Sequence, residues 1–267
     1  MTRALELAWG VGSDRGLRRA VNEDSFLAAP PLFFVADGMG GHEAGAEASR
    51  AAIEGFRALA GRESVSVEEI EAAFVDAVAG VSAIVTERAA AGTTLAGAAV
   101  CEQGGEVYWL VLNIGDSRTY RLQGGTLEQI SVDHSAVQDL VERGELAQED
   151  AERHPERNVV TRAVGAGSVG VPDYWLLPAR AGDRLMICSD GLPKELSFDQ
   201  ILEALRAEVS PQAAAPRLVH EALVHGGRDN VTVVVVDAHG ALDETDDEQT
   251  QPVASPVPSS QTKESTW

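Results

Sequence analysis

Four strongly apolar segments of this 267-residue chain run straight into, or out of, an aspartate beside glycine or a small residue. They read Leu32-Phe-Phe-Val-Ala-Asp37-Gly38, Val111-Leu-Asn-Ile-Gly-Asp116-Ser117, Leu185-Met-Ile-Cys-Ser-Asp190-Gly191 and Gly226-Gly-Arg-Asp229-Asn-Val-Thr232. Each has the β-branched and aromatic content of a strand. A buried strand end is a costly place for an ion unless something pairs with it. Any one of these aspartates is explained as the cap of a turn. Four of them on the strands of one sandwich can converge on a single rim, where carboxylates repel unless protonated or bridged by cations.

Strands are expected over 32–36, 94–101, 107–114, 119–122, 184–188 and 231–237. Gln103-Gly-Gly105 and Gln123-Gly-Gly125 separate neighbours by tight turns, which favours antiparallel hairpins over βαβ units. Ser66-Val-Glu-Glu69 forms a capping box, with Val65 and Ile70 placed as its hydrophobic staple. Val67, Ile70, Phe74, Ala77, Val81 and Ile84 then follow at helical steps, and Ala48, Ala52, Phe56 and Leu59 do the same upstream. Further helices are expected from near Ser197 and from Ser210-Pro211. Helix pairs separated by runs of strands give an α+β fold of layered sheets covered by helices. Past Gly240 the composition turns to Asp243-Glu-Thr-Asp-Asp-Glu248 and then to Pro, Ser, Thr and Gln. Such a stretch cannot offset its ordering entropy, so the reading is a folded domain over 1–240 and a disordered tail over 241–267.

Charge narrows the function. Twenty-one basic against 42 acidic residues leave −21. That surface repels phosphate backbones and anionic lipid, so neither nucleic acid nor membrane is an expected partner. No apolar run approaches a membrane span, and MTRALELAWG carries no secretory stretch. With only Cys101 and Cys188, a disulfide scaffold is ruled out and a reducing, cytoplasmic setting is expected. The Asn230-Val-Thr232 sequon is then accidental.

Excess carboxylate suits cations. Few bases lie near the four aspartates in sequence: Arg118, Arg184, Lys194 and Arg228. Oxygen ligands select hard divalent ions such as magnesium or manganese, and the scarcity of histidine with no Cys-x-x-Cys argues against zinc. Upstream, Ser13-Asp14-Arg15-Gly-Leu-Arg-Arg19-Ala-Val-Asn22-Glu23-Asp24 combines guanidinium groups with more carboxylates. Alone it reads as a solvated charged loop. Beside the four aspartates, an arginine able to grip phosphate makes phosphoester hydrolysis the natural chemistry.

Six motifs stand in one order: Arg19-Ala-Val-Asn-Glu23-Asp24, Ala36-Asp37-Gly38-Met-Gly-Gly41-His42, Gly92-Thr93-Thr94, Gly115-Asp116-Ser117-Arg118, Cys188-Ser189-Asp190-Gly191-Leu192 and Gly227-Arg228-Asp229-Asn230-Val-Thr232. In that order they resemble the metal-dependent serine/threonine protein phosphatases, the PPM or type 2C family, in its bacterial branch. The resemblance covers about residues 8–238. It implies a four-layer α-β-β-α sandwich of two mainly antiparallel sheets flanked by helix pairs. It also implies two manganese or magnesium ions bridged by Asp37, with the Gly38 carbonyl on one and Asp190 and Asp229 completing the pair. Glu23 and Asp24 would hold metal-bound waters, Arg19 would orient the phosphoryl group, and Asp116 with Asp190 would form a third, weaker metal site. A mobile flap is implied at about 144–172. The implied substrates are proteins phosphorylated on serine or threonine, with a cognate kinase opposing a monomeric enzyme.

Two residues depart from that pattern. Met39 replaces the histidine that many relatives carry after Asp-Gly; His42 follows and either protonates the leaving alkoxide or caps the helix beginning near Glu43. Lys194 stands where many relatives have another aspartate, weakening the third metal or replacing it. Cysteine chemistry is excluded, because the arginine needed six residues after the nucleophile is Val107 or Lys194 here. Gly165-Ala-Gly167-Ser-Val-Gly170 spells a dinucleotide motif, but Pro172 and Tyr174-Trp-Leu-Leu177 follow where a helix must open. His134, His220 and His225 lack ligand spacing and read as structural or surface residues. Two other readings of the whole chain are a catalytically silent binding module and a small-molecule phosphomonoesterase.

Overall fold

The computed structural model describes residues 5–41, 43–84, 90–151, 153–240 and 251–252. The chain opens with β1 (Glu6–Asp14), β2 (Asp24–Ala29) and β3 (Leu32–Met39), then α1 (Glu43–Glu54) and α2 (Val67–Ser82). Five strands follow: β4 (Gly92–Thr93), β5 (Leu95–Gln103), β6 (Glu106–Ile114), β7 (Arg118–Gln123) and β8 (Thr126–Gln129), with β5–β6 and β7–β8 as hairpins. Next come α3 (Ala136–Glu142), α4 (Gln148–Ala151), β9 (Val164–Gly165), β10 (Ser168–Val169), β11 (Asp173–Pro178) and β12 (Arg184–Cys188). The last elements are α5 (Phe198–Ala207), α6 (Pro211–His225), β13 (Val231–His239) and β14 (Gln251–Pro252).

Two antiparallel sheets result. One has the order β1-β13-β12-β7-β8; the other runs β10-β9-β4-β3-β5-β6-β11-β14, with β2 also on β3. Strand periodicity splits the side chains between three cores. Phe33, Val35, Ala96, Ala98, Trp109, Val111, Leu185, Ile187, Val234 and Val236 fill the space between the sheets. The opposite faces of the same strands, through Leu32, Phe34, Leu110 and Leu112, pack on α1 and α2. Met186, Cys188, Val233 and Val235 pack on the layer of α5 and α6. Three cores separate four layers, α-β-β-α, as the family resemblance implies.

Local chemistry explains the boundaries. Ser66 and Glu69 form the expected box at α2, Ser197 and Gln200 form a second at α5, and Ser210 caps α6 ahead of Pro211. Gly104, Gly105, Gly124 and Gly125 all have positive φ in the two hairpin turns. The upstream helical stripe stops short of Leu59: α1 ends at Glu54 and a 3-10 turn covers Arg57–Leu59. Strands β1, β2, β8 and β11 and helix α3 lie outside the segments expected from sequence. The dinucleotide-like stretch is the β9–β10 hairpin, Ser168 opposite Gly165, and opens no helix. Of residues 241–267, Gln251–Pro252 pair with Leu176 and Trp175 at the edge of β11; the rest of the expected tail lies outside the described residues.

Arg184 ties the second helix layer to its sheet. Its Nε and Nη2 meet both carboxylate oxygens of Asp237 at 2.6 and 2.7 Å, while Nη1 donates to the carbonyls of Leu205 and Glu208 at the end of α5. Both partners are largely buried, so Arg184→Met strands a desolvated carboxylate and uncaps the helix. A loss of about 3 kcal/mol is expected, seen as a melting temperature lower by roughly 6–12 °C.

Candidate functional site

Pairing register brings the aspartates to one rim. Asp24 faces Asp37 across β2 and β3. Cys188 faces Val233 across β12 and β13, so Asp190, just past one strand, lies near Asp229, just before the other. Asp116 follows β6, which is separated from β3 by β5 alone. The sheets touch here: Ser189 Oγ, from the small sheet, donates to Asp24 Oδ2 at 2.8 Å.

Close backbone approach explains the neighbouring glycines. A Cβ on Gly191 would sit 1.9 Å from the Asn230 carbonyl oxygen, and one on Gly38 2.1 Å from that of Gly45. Hydroxyls and an amide hold the rim in place. Thr94 Oγ1 accepts the Asp37 N–H at 3.0 Å and shares a 2.7 Å hydrogen bond with Ser117 Oγ. Buried Asn230 accepts the Glu23 N–H and donates to the carbonyls of Arg15 and Val21, each at 2.9 Å. It pins the arginine-rich loop to the start of β13.

The electrostatics divide the ring. Burial, then the charges of Asp24, Asp190 and Asp116, hold the Asp37 carboxyl well above the ordinary carboxylate range. Burial, then Asp190 and Asp229, push Asp24 up to about 7 against hydrogen bonds from Thr232 and Ser189. Burial, then Asp190 and Asp133, push Asp116 up to about 8. Asp229 goes the other way. Burial opposes its charge, yet Lys194 and Arg19 overcome that and hold the carboxyl below its usual range. Arg19 Nε lies 2.8 Å from Asp229 Oδ1, and Lys194 Nζ lies 3.2 Å from Oδ2. The same ammonium pairs with Asp190 Oδ2.

The donor set fits hard cations. Asp24 Oδ1 and Asp190 Oδ1 are buried carboxylate oxygens with no hydrogen-bond partner among the described residues, and both belong to the rim. The cage is not closed as it stands: among the described residues, no three His, Cys, Asp or Glu side chains are gathered to hold an ion. Lys194 stands between Asp190 and Asp229, carboxylates that an ion would otherwise draw together. Glu23 is buried behind the rim, its carbonyl accepting Ser49 Oγ at 2.6 Å. His42 lies outside the described residues.

Sequence reading named the carboxylates and Arg19 but assigned no work to Ser189, Asn230, Thr94 or Ser117. Their only signal is position inside the quoted motifs, since a hydroxyl in a strand end carries no periodicity. His134 is structural, as expected: it is buried, with Nδ1 accepting the Gly115 N–H at 3.2 Å and Nε2 2.9 Å from Asp173.

The protein phosphatase 2C family model matches residues 12–225. The serine/threonine protein phosphatase PstP of Mycobacterium tuberculosis is 40% identical over 256 residues, 93% of this chain; the chain spans 48% of that protein's length. The serine/threonine phosphatase stp of Listeria welshimeri is 34% identical over 240 residues, 84% of this chain and 93% of its own. A crystal structure of the M. tuberculosis PstP/Ppp phosphatase aligns with a TM-score of 0.82 at 39% identity, covering 88% of this chain and 99% of that one. The PstP catalytic domain in complex with two manganese ions aligns at 0.79 and 38% identity, covering 88% and 100%.

Proposed function

The chain belongs to the protein phosphatase 2C family, and we propose that it hydrolyses phosphoserine and phosphothreonine esters on proteins with two bound manganese or magnesium ions. The observation that carries this reading is the largely buried rim of Asp24, Asp37, Asp116, Asp190 and Asp229, with two buried carboxylate oxygens that have no hydrogen-bond partner among the described residues. In this reading Asp37, Asp190 and Asp229, with the Gly38 carbonyl, hold the pair; Glu23 and Asp24 hold its waters; Asp116 with Asp190 takes a third, weaker ion. When bound, such a pair would supply Lewis acidity and lower the pKa of water, so that hydroxide would be available near neutral pH.

The protein's own groups do the rest. Arg19 pairs through Nε with Asp229, which anchors the guanidinium at the rim, and its Nη groups would take phosphoryl oxygens. With its side chain 49% exposed, it reaches a substrate arriving from solvent. A phosphocysteine route has no nucleophile here: both thiols are buried, and burial pushes Cys188 up to about 12. Free buried cysteines suit a reducing cytoplasm, and the described residues include no helix long and apolar enough to cross a membrane. A protein phosphatase of this kind opposes a serine/threonine kinase.

The test compares turnover of phosphoserine, phosphothreonine and phosphotyrosine peptides and of sugar phosphates, with manganese and after exhaustive chelation. Hydrolysis of the first two, abolished by chelation, is the expected result. Activity that survives chelation overturns the metal role, a preference for sugar phosphates overturns the protein substrate, and manganese binding without turnover marks a silent module.

A further inference from the structure

Lysine is rare in this chain. Of 21 basic residues only Lys194 and Lys263 are lysine; the other 19 are arginine. One of the two is placed inside the carboxylate rim. The turn after β12 puts it there, because the Lys194 N–H bonds the Asp190 carbonyl at 3.1 Å and folds the side chain back onto its own turn. Nζ then reaches Asp190 Oδ2 and Asp229 Oδ2 together. An arginine would grip a carboxylate with two parallel bonds; lysine is a point charge on a flexible stem and lets go more readily. The way out is open, since the side chain is 32% exposed. Neighbouring Glu195 does not bind it: that carboxylate takes the N–H, Nε and Nη2 of Arg228.

We propose that Lys194 is a tethered counter-cation: it neutralises Asp190 and Asp229 in the metal-free protein and swings out to solvent when divalent ions load. This rests on the reading of the rim as a two-cation site and adds to it a competition built into the chain. The ammonium shares its carboxylates with the incoming ions, so every loading event first breaks two ion pairs. Lys194 thereby raises the metal concentration at which the site fills and keeps the unloaded rim from repelling itself apart.

Two measurements on the full chain test this without phosphatase turnover. In the wild type, amine acetylation followed by peptide mass spectrometry reads Lys194 against Lys263 as internal control. Adding magnesium should speed labelling of Lys194 at least threefold relative to Lys263; unchanged or slower labelling in protein shown by calorimetry to bind magnesium overturns the proposal. By titration calorimetry, Lys194→Met should bind manganese at least tenfold more tightly than wild type while melting lower in chelator, and Lys194→Arg should not gain affinity. Affinity of the methionine variant equal to or below wild type shows that Lys194 stays and assists, which also overturns the proposal. If neither protein binds manganese, the two-cation reading fails with it. Should the methionine variant not fold without metal, the labelling experiment decides alone.

Discussion

Asp37→Asn is expected to cut phosphopeptide turnover about a thousandfold, roughly 4 kcal/mol of barrier, while raising the melting temperature of the metal-free protein. The two effects have one cause. Asp37 lies where burial and the charges of Asp24, Asp190 and Asp116 all oppose its ionised form. An unloaded rim therefore carries that carboxylate at a cost, and an amide of the same shape removes the charge and keeps the backbone bonds to Thr94. Catalysis needs the charge that stability does not: an asparagine oxygen is a weaker ligand and cannot bridge two cations as a carboxylate does. Steady-state kinetics with manganese and thermal melts in chelator at pH 8 read the two halves. Retained turnover removes Asp37 from the centre, and a lower metal-free melting temperature shows that the carboxylate is stabilising, against the electrostatics described here.

The opposite signs match what was legible in sequence. Chemistry showed through because it is expensive: aspartates at the ends of apolar strands break the local pattern, and a broken pattern is readable. Helices α2, α5 and α6 were legible for a similar reason, since Ser66, Ser197 and Ser210 are punctuation that only a helix start requires. Strand β1 was not. It runs through Gly10 and Gly12, where any side chain would strike α6 backbone at Pro211 and Ala215, so the helix dictates those residues and the strand pattern is lost. Strand β2 is hidden too, with Phe26 exposed and its first residue, Asp24, given to the site. Helix α3 is a single short segment after the Ser135 cap, too brief to show a stripe. Within the site, the carboxylates could be named, but the opposing arrangement of Arg19 and Lys194 about Asp229 could not. It depends on a turn between β12 and α5 that brings positions 35 residues apart within 3.2 Å.

In chelator, the melting temperature of the wild type should fall by about 10 °C between pH 5.5 and 8.5. Asp24 titrates in the folded chain at about 7 and Asp116 at about 8, both lifted by burial first and by neighbouring carboxylates second. In the unfolded chain each falls near 3.9. The folded state therefore holds protons that the unfolded state has released, so this contribution is fully present below about pH 4 and fades as pH climbs through 7 and 8. Each such carboxyl costs about 1.4 kcal/mol for every pH unit between 5.5 and its folded pKa, so Asp24 over about 1.5 units and Asp116 over about 2.5 units lose roughly 5 kcal/mol together. Asp229, depressed by Lys194 and Arg19, contributes with the opposite sign, but its contribution is lost only at more acid pH and leaves the window untouched. Manganese should reverse the slope. Ligands must be ionised to bind, so loading strengthens as pH rises and the loaded protein melts higher at pH 8.5 than at 5.5. A double variant, Asp24→Asn with Asp116→Asn, should make the chelated profile shallower, leaving the part that Asp37 carries. A chelated wild type whose stability stays level or rises with pH would mean that these carboxyls are solvated and apart, and the rim would lose the electrostatic tension that makes divalent ions its natural occupants.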